Sequence, residues 1–203
     1  MDIKVKAGKL TRQTADALVV GIFEGEKRLS GEIAELDKAL EGAIARSIKQ
    51  ERLTGKLSES EIFYHVGALS ASLIAVIGLG KKDEFTADKL RSAIAGLCRT
   101  LRQKKAYSIA MQPLGAGVGR VTATDAAQAI TEGAILGLYT FRRHITKKPE
   151  HKEVKEITIV PPNANTAFIN SGIEKGRILS EAGILARDMV NEPSNYMSPG
   201  DIA

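Results

Sequence analysis

The sequence predicts an α/β domain of three layers, built on a mixed, mostly parallel sheet. Three observations predict it. Short, nearly unbroken apolar runs such as Ala17–Ile22 and Leu73–Ile77 suit strands covered on both faces. Amphipathic helical stretches alternate with strands through the second half of the chain. Two pairs of successive strands have no helix between them, which breaks a purely parallel pattern.

The elements follow in order. Ile3 to Val5 alternates apolar and polar and reads as a short strand, and Ala17 to Ile22 is the second. Ser30-Gly31 opens a helix in which Ile33, Leu36, Leu40, Ile44 and Ile48 recur at three- and four-residue steps, giving one apolar stripe. Glu61 to Val66 and Leu73 to Ile77 are the third and fourth strands, joined by the small, polar stretch 67–72. Thr86 caps a helix that carries Ala87, Leu90, Ile94, Leu97 and Leu101 on one face, with Asp88 in its first turn. Ser108 to Met111 is a strand, followed by a glycine-rich loop and a helix from Thr124 to Tyr139. Ile157 to Val160 is the last strand, stopped by Pro161-Pro162. Thr166 to Val190 reads as one long helix, although Gly172, Gly176 and Gly183 each weaken it by about 1 kcal/mol relative to Ala.

At 203 residues the chain suffices for one domain and an appendage. No apolar run approaches the roughly 18 residues of a membrane span, and Met1 to Val5 lacks the basic-then-apolar order of a signal peptide. The single cysteine, Cys98, cannot form an internal disulfide and shares the apolar face of Ile94 and Leu101, so it reads as a small core residue. These features together predict a cytoplasmic protein. A net charge of +5 is mild for this length and does not demand a nucleic-acid partner.

Signals for chemistry are sparse. A catalytic metal needs several His, Asp, Glu or Cys groups converging on one point. The three histidines, His65, His144 and His151, lie in a strand and in a basic connector, and the carboxylates such as Glu32, Glu35 and Asp37 sit on a polar helix face. There is no G-x-S-x-G elbow for a nucleophilic serine. The strongest local signal is the loop Pro113 to Gly119, whose candidate ligand-binding residues are Gly115, Gly117 and Gly119. Glycines between a strand and a helix let backbone N–H groups approach a phosphate. Their spacing misses the full dinucleotide fingerprint, and the preferred reading is a tight positive-φ connection without a ligand. Residues 142–155 hold Arg142, Arg143, His144, Lys147, Lys148, His151, Lys152 and Lys155 without apolar periodicity, an exposed connector that could contact phosphates if its cations faced one way.

The segment Ala186-Arg187-Asp188-Met189-Val190-Asn191-Glu192-Pro193-Ser194-Asn195-Tyr196-Met197-Ser198-Pro199 carries more information. It closely resembles the stretch that ends the interdomain helix of leucyl aminopeptidases. Asp16 to Gly21 followed by Leu29-Ser30-Gly31, then Val76 to Lys81, and Glu132-Gly133-Ala134 with Tyr139, Phe141 and Thr146-Lys147-Lys148, resemble further stretches of the same family. The resemblance implies a macro-domain-like N-terminal domain over residues 1–162. It implies an interdomain helix and linker over 163–203, leading to a catalytic domain. The family's metal ligands, which hold two divalent ions (manganese or zinc), lie in that C-terminal domain, and the chain stops at Ala203 before any of them. The resemblance therefore places no catalytic residue and no metal ligand here, and it implies no hydrolysis by this chain alone. The intact parent would be a two-metal exopeptidase and a hexamer, with this domain at the outer corners serving assembly or regulation. Two other readings stay open. One is a macro-like module that binds a nucleotide, ADP-ribose, through Gly115 to Gly119, against which a carboxylate at Glu24 would count if it faced the pocket. The other is a DNA contact through residues 142–155. A last expectation is that Ile184, Leu185 and Met189 form an exposed apolar stripe on the final helix.

Overall fold

A computed structural model of the chain describes residues 1–67, 69–146, 153–162, 166–196 and 200. Its sheet is mixed and mostly parallel, as the sequence predicts. The strands are β1 (Asp2–Val5), β2 (Ala17–Ile22), β3 (Ser60–Tyr64), β4 (Leu73–Gly78), β5 (Ser108–Met111) and β6 (Glu156–Ile159). They lie in the order β1-β6-β5-β2-β4-β3. Among the described residues only the β3–β4 pair is antiparallel, consistent with the short 65–72 connection between them. The other two successive strands expected without a helix between them, β1 and β2, do not pair, and a short 3-10 turn, Leu10–Arg12, joins them. β1 runs parallel to β6 at the sheet edge, with Lys4 bound to Glu156 at 2.6 Å.

Strand periodicity separates two cores. Ala17, Val19, Ala75, Ile77, Ile109 and Met111 face one side of the sheet. There they meet α3 (Ala87–Gln103), α4 (Ala123–Leu138) and the first turns of α5 (Ala167–Asn191). Leu18, Val20, Ile22, Ile74 and Val76 face the other side, where α1 (Glu32–Ala39) and α2 (Ala43–Lys49) cover them with Leu36 and Ile44. The three layers and the long last helix are thus as predicted.

Several boundaries differ, each for a local reason. The single helix expected from Ser30 onward is two helices. Glu41 and Gly42 have φ of 53° and 79°, outside helical space, and Asp37 accepts the Ala45 N–H at 3.0 Å to start the second. The apolar stripe survives the break because Leu36 and Ile44 are both buried. The third strand ends at Tyr64, not Val66, whose side chain is fully exposed and gives the strand nothing to pack. Pairing shifts the last strand one residue early, to Glu156–Ile159. The long helix keeps its glycines because two of them are contact points. A Cβ on Gly172 would lie 2.3 Å from the Thr124 carbonyl oxygen, and one on Gly176 would lie 2.8 Å from the Gln128 oxygen. Small residues here let α5 lie close against α4. The expected apolar stripe on α5 is displaced. Leu185 is 62% exposed, but Ile184 and Met189 are half-buried, and the exposed apolar residues also include Ile178, Leu179 and Val190. Among the described residues no helix is long and apolar enough to cross a membrane.

Candidate functional site

Two places gather polar groups. The first is a cleft of about 530 Å³ at the carboxyl ends of β2, β5 and β6. The chain leaving β2 runs to α1 and α2 on one face of the sheet, whereas the chain leaving β5 runs to α4 on the other. The divergence opens a crevice between the two strand ends, the place where open α/β sheets bind ligands.

The glycine-rich loop forms one side of this cleft. Gly115, Gly117 and Gly119 all have positive φ, between 59° and 84°, so the loop needs them for its backbone path. Gly115 is also required by space, because a Cβ there would fall 2.2 Å from the Phe85 ring. Gly115 lines the cleft with Ala116 and Val118, whereas Gly117 and Gly119 do not. The loop closes largely on itself. The Ala116 N–H donates to Pro113 at 3.1 Å, Gly117 to the Val121 carbonyl at 2.8 Å, and Val118 to Gly115 at 3.1 Å. The first turn of α4 is likewise closed by its own capping box. Thr122 accepts the Asp125 N–H at 3.1 Å, and the Asp125 carboxylate accepts the Thr122 N–H at 3.0 Å. The Thr122 hydroxyl, which donates to the Asp125 carboxylate at 2.7 Å, and then the Thr122 N–H hold the Asp125 carboxyl below its ordinary value.

The charged lining comes from residues the sequence did not single out. Arg28, Glu26 and Lys82 converge from the loop after β2 and the turn after β4. Glu26 accepts the Phe23 N–H at 3.1 Å and the Lys82 ammonium at 2.9 Å. Lys82 also stands over the Phe23 ring, 5.4 Å from its centroid. Glu24, the carboxylate expected to repel a pyrophosphate, is exposed and does not line the cleft. Asp16 is at the opposite end of β2. Its Oδ2 accepts the Tyr107 and Ser108 N–H groups, both at 2.8 Å, and ties the start of β5 to the start of β2.

The second place is a polar clasp at the end of α5. Five residues of the segment that carries the family resemblance take part. The Tyr139 hydroxyl donates to Asp188 at 2.6 Å and accepts from Asn191 at 3.3 Å. Desolvation, then that bond to Asp188, hold the Tyr139 hydroxyl above its ordinary value. Arg187 donates to the Leu136 carbonyl at 2.8 Å and lies over the Tyr139 ring. The Glu192 side chain, 5% exposed, receives Arg143 at 3.2 Å and His144 at 2.6 Å. The His144 ring in turn packs 4.8 Å from that of Tyr196. Arg143 and His144 are therefore engaged within the domain, while Lys147, Lys148, His151 and Lys152 lie outside the described residues.

The remaining candidates have structural places. Cys98 is fully buried, and burial pushes its thiol up to about 12. His65 sits in the turn after β3, with its Nε2 3.4 Å from the Leu69 N–H. Glu132 is buried on α4, where it binds Arg91 of α3 and accepts from Gln128 at 2.8 Å. Among the described residues no group of three or more His, Cys, Asp or Glu side chains could hold a metal ion.

Comparison with known proteins adds to this geometry. A family model described as the cytosol aminopeptidase family, N-terminal domain, matches residues 19–148. A probable cytosol aminopeptidase of Alkaliphilus metalliredigens is 34% identical over 206 residues, covering 100% of this chain and 41% of the relative. Another, from a Sulfurihydrogenibium species, is 34% identical over 200 residues, covering 98% of this chain and 39% of the relative. The chain thus spans about two-fifths of the length of these curated relatives. Among solved structures, a mutant of tomato leucine aminopeptidase superposes over 100% of this chain and 40% of its own, with a TM-score of 0.80 at 20% identity. The bottromycin maturation enzyme BotP, in complex with Mn, gives a TM-score of 0.68 at 24% identity, over 93% of this chain and 34% of its own. At those identities the two structures speak for the fold alone.

Proposed function

Because the chain belongs to the cytosol aminopeptidase family, as a match to its N-terminal domain, we propose that it is the non-catalytic N-terminal part of a longer, cytosolic, two-metal aminopeptidase. The longer protein removes N-terminal residues from peptides, and its metal centre lies outside residues 1–203. The described residues do not fit such a centre, since no cluster of suitable donors forms among them. No step of the hydrolysis is therefore assigned to this chain. Manganese is one candidate for the parent's metal, in keeping with the Mn complex of BotP.

One observation carries the reading. The segment most like the family, Arg187 to Glu192, is engaged with the domain's own body through Tyr139, Leu136, Arg143 and His144. It acts as a mount. Residues 1–162 form the body, and residues 163–203 form the link to the catalytic domain, whose direction of departure the clasp sets. A role in assembly, with a hexameric parent, extends the same reading.

The test is an assay of the purified chain on leucine p-nitroanilide, with added manganese or zinc, beside the longer protein. The expected result is hydrolysis by the longer protein and none by the chain. Metal-dependent turnover by the chain would overturn the reading.

A further inference from the structure

We propose that the cleft at the carboxyl ends of β2, β5 and β6 binds a small aliphatic carboxylate, with Arg28 holding the anionic group. Its volume of about 530 Å³ is that of a small-molecule site. Its place is the crevice where the connections from β2 and β5 diverge to opposite faces of the sheet.

The charge of the lining selects a monoanion. Lys82 is bound to Glu26 at 2.9 Å, so these two charges offset each other. Arg28 lines the cleft and forms no ion pair or hydrogen bond among the described residues, so its charge is uncommitted. A planar fork of donors matches a carboxylate in two parallel bonds. One uncommitted cation suits a single negative charge better than the two or more of a nucleotide phosphate.

The walls select the body of the ligand. Ile22, Leu29, Ile33, Leu114 and Ile169 offer aliphatic surface. The one aromatic ring in the lining is Phe23, which is 7% exposed and packs edge-on against Phe85 at 5.2 Å. It presents no face on which a base could stack. The loop N–H groups of Ala116, Gly117 and Val118 are engaged within the loop, which removes the backbone cradle a pyrophosphate uses. The occupant is thus a branched or straight aliphatic acid. An aliphatic α-amino acid is a member of that class.

The experiment is titration of the chain with 4-methylpentanoate, L-leucine, L-leucinamide and AMP, followed calorimetrically and by amide chemical shifts. Saturable binding of 4-methylpentanoate or leucine is expected, at a Kd of about 1 mM or tighter. Shifts should be confined to residues 20–33 and 112–118. Leucinamide, which lacks the carboxylate, should not compete. Arg28→Ala, at an exposed position outside the core, should weaken binding at least tenfold and leave the fold unchanged. No saturable binding of either acid, equal binding by the Arg28 variant, or binding of AMP alone would each overturn the assignment. 4-Methylpentanoate reads the cleft independently of the peptidase reading, so failure of one is distinguishable from failure of the other.

Discussion

Gly172 and Gly183 are both interior to α5, yet substitution by Ala should act in opposite directions. In a helix interior Ala is favoured over Gly by about 1 kcal/mol. At Gly183 the nearest obstacle is the flexible end of Leu136 at 3.3 Å, so Gly183→Ala should stabilise the chain by up to about 1 kcal/mol. At Gly172 the obstacle is a backbone carbonyl at 2.3 Å, and α5 must move off α4 to admit a methyl group. Gly172→Ala should therefore destabilise by about 1–3 kcal/mol net. Urea midpoints of the two variants check both signs. In the sequence all three glycines of this helix read as weaknesses, because nothing in a helical repeat tells which face another helix will meet. Cys98 was legible from its neighbours, Ile94 and Leu101. With its thiol pushed up to about 12, it should resist iodoacetamide at pH 8 and react at the rate of opening. Rapid labelling of the folded chain would contradict its burial.

Among the elements, α4 is fixed at its start by a reciprocal cap and α5 at its end by the clasp. Thr122→Ala should cost about 1 kcal/mol. The pH dependence follows from the lowered Asp125 carboxyl, whose ordinary value is 3.8. A depressed folded value means the cap contributes fully above that ordinary value. The contribution fades as pH falls through the lower one. The stability gap between the native chain and Asp125→Ala should thus be constant down to about pH 4 and close below it. At the other end, Tyr139→Phe removes a hydroxyl shared by Asp188 and Asn191. The loss should be local, read as faster hydrogen exchange over residues 187–192 than in the native chain. The elements themselves were legible wherever periodicity was strong, as in β2, β4 and α3. The break between α1 and α2 was not, since Leu40 continues the apolar stripe straight across it. Nor was the cleft's charge. Glu26, Arg28 and Lys82 look like ordinary surface residues in sequence, and only the turns after β2 and β4 bring them together.

At the scale of the molecule, α5 leaves Ile178, Leu179, Leu185 and Val190 exposed along its outer side. Exposed apolar side chains of this kind favour association. The isolated chain should therefore self-associate as its concentration rises, and the double variant Ile178→Glu, Leu185→Lys should remain a monomer. Sedimentation velocity across a concentration series distinguishes the two. A monomeric native chain at high concentration would show that this face is too small to drive assembly. The sheet order has a separate consequence, for the order of events during synthesis. β1 is made long before β6, its neighbour in the sheet, and the ion pair across them joins Lys4 to Glu156, 152 residues later. At 5–20 residues per second, a ribosome takes roughly 8–30 s to supply that partner. For that interval the nascent chain carries an unpaired strand, a long wait in which a chaperone, or another nascent copy, meets it first.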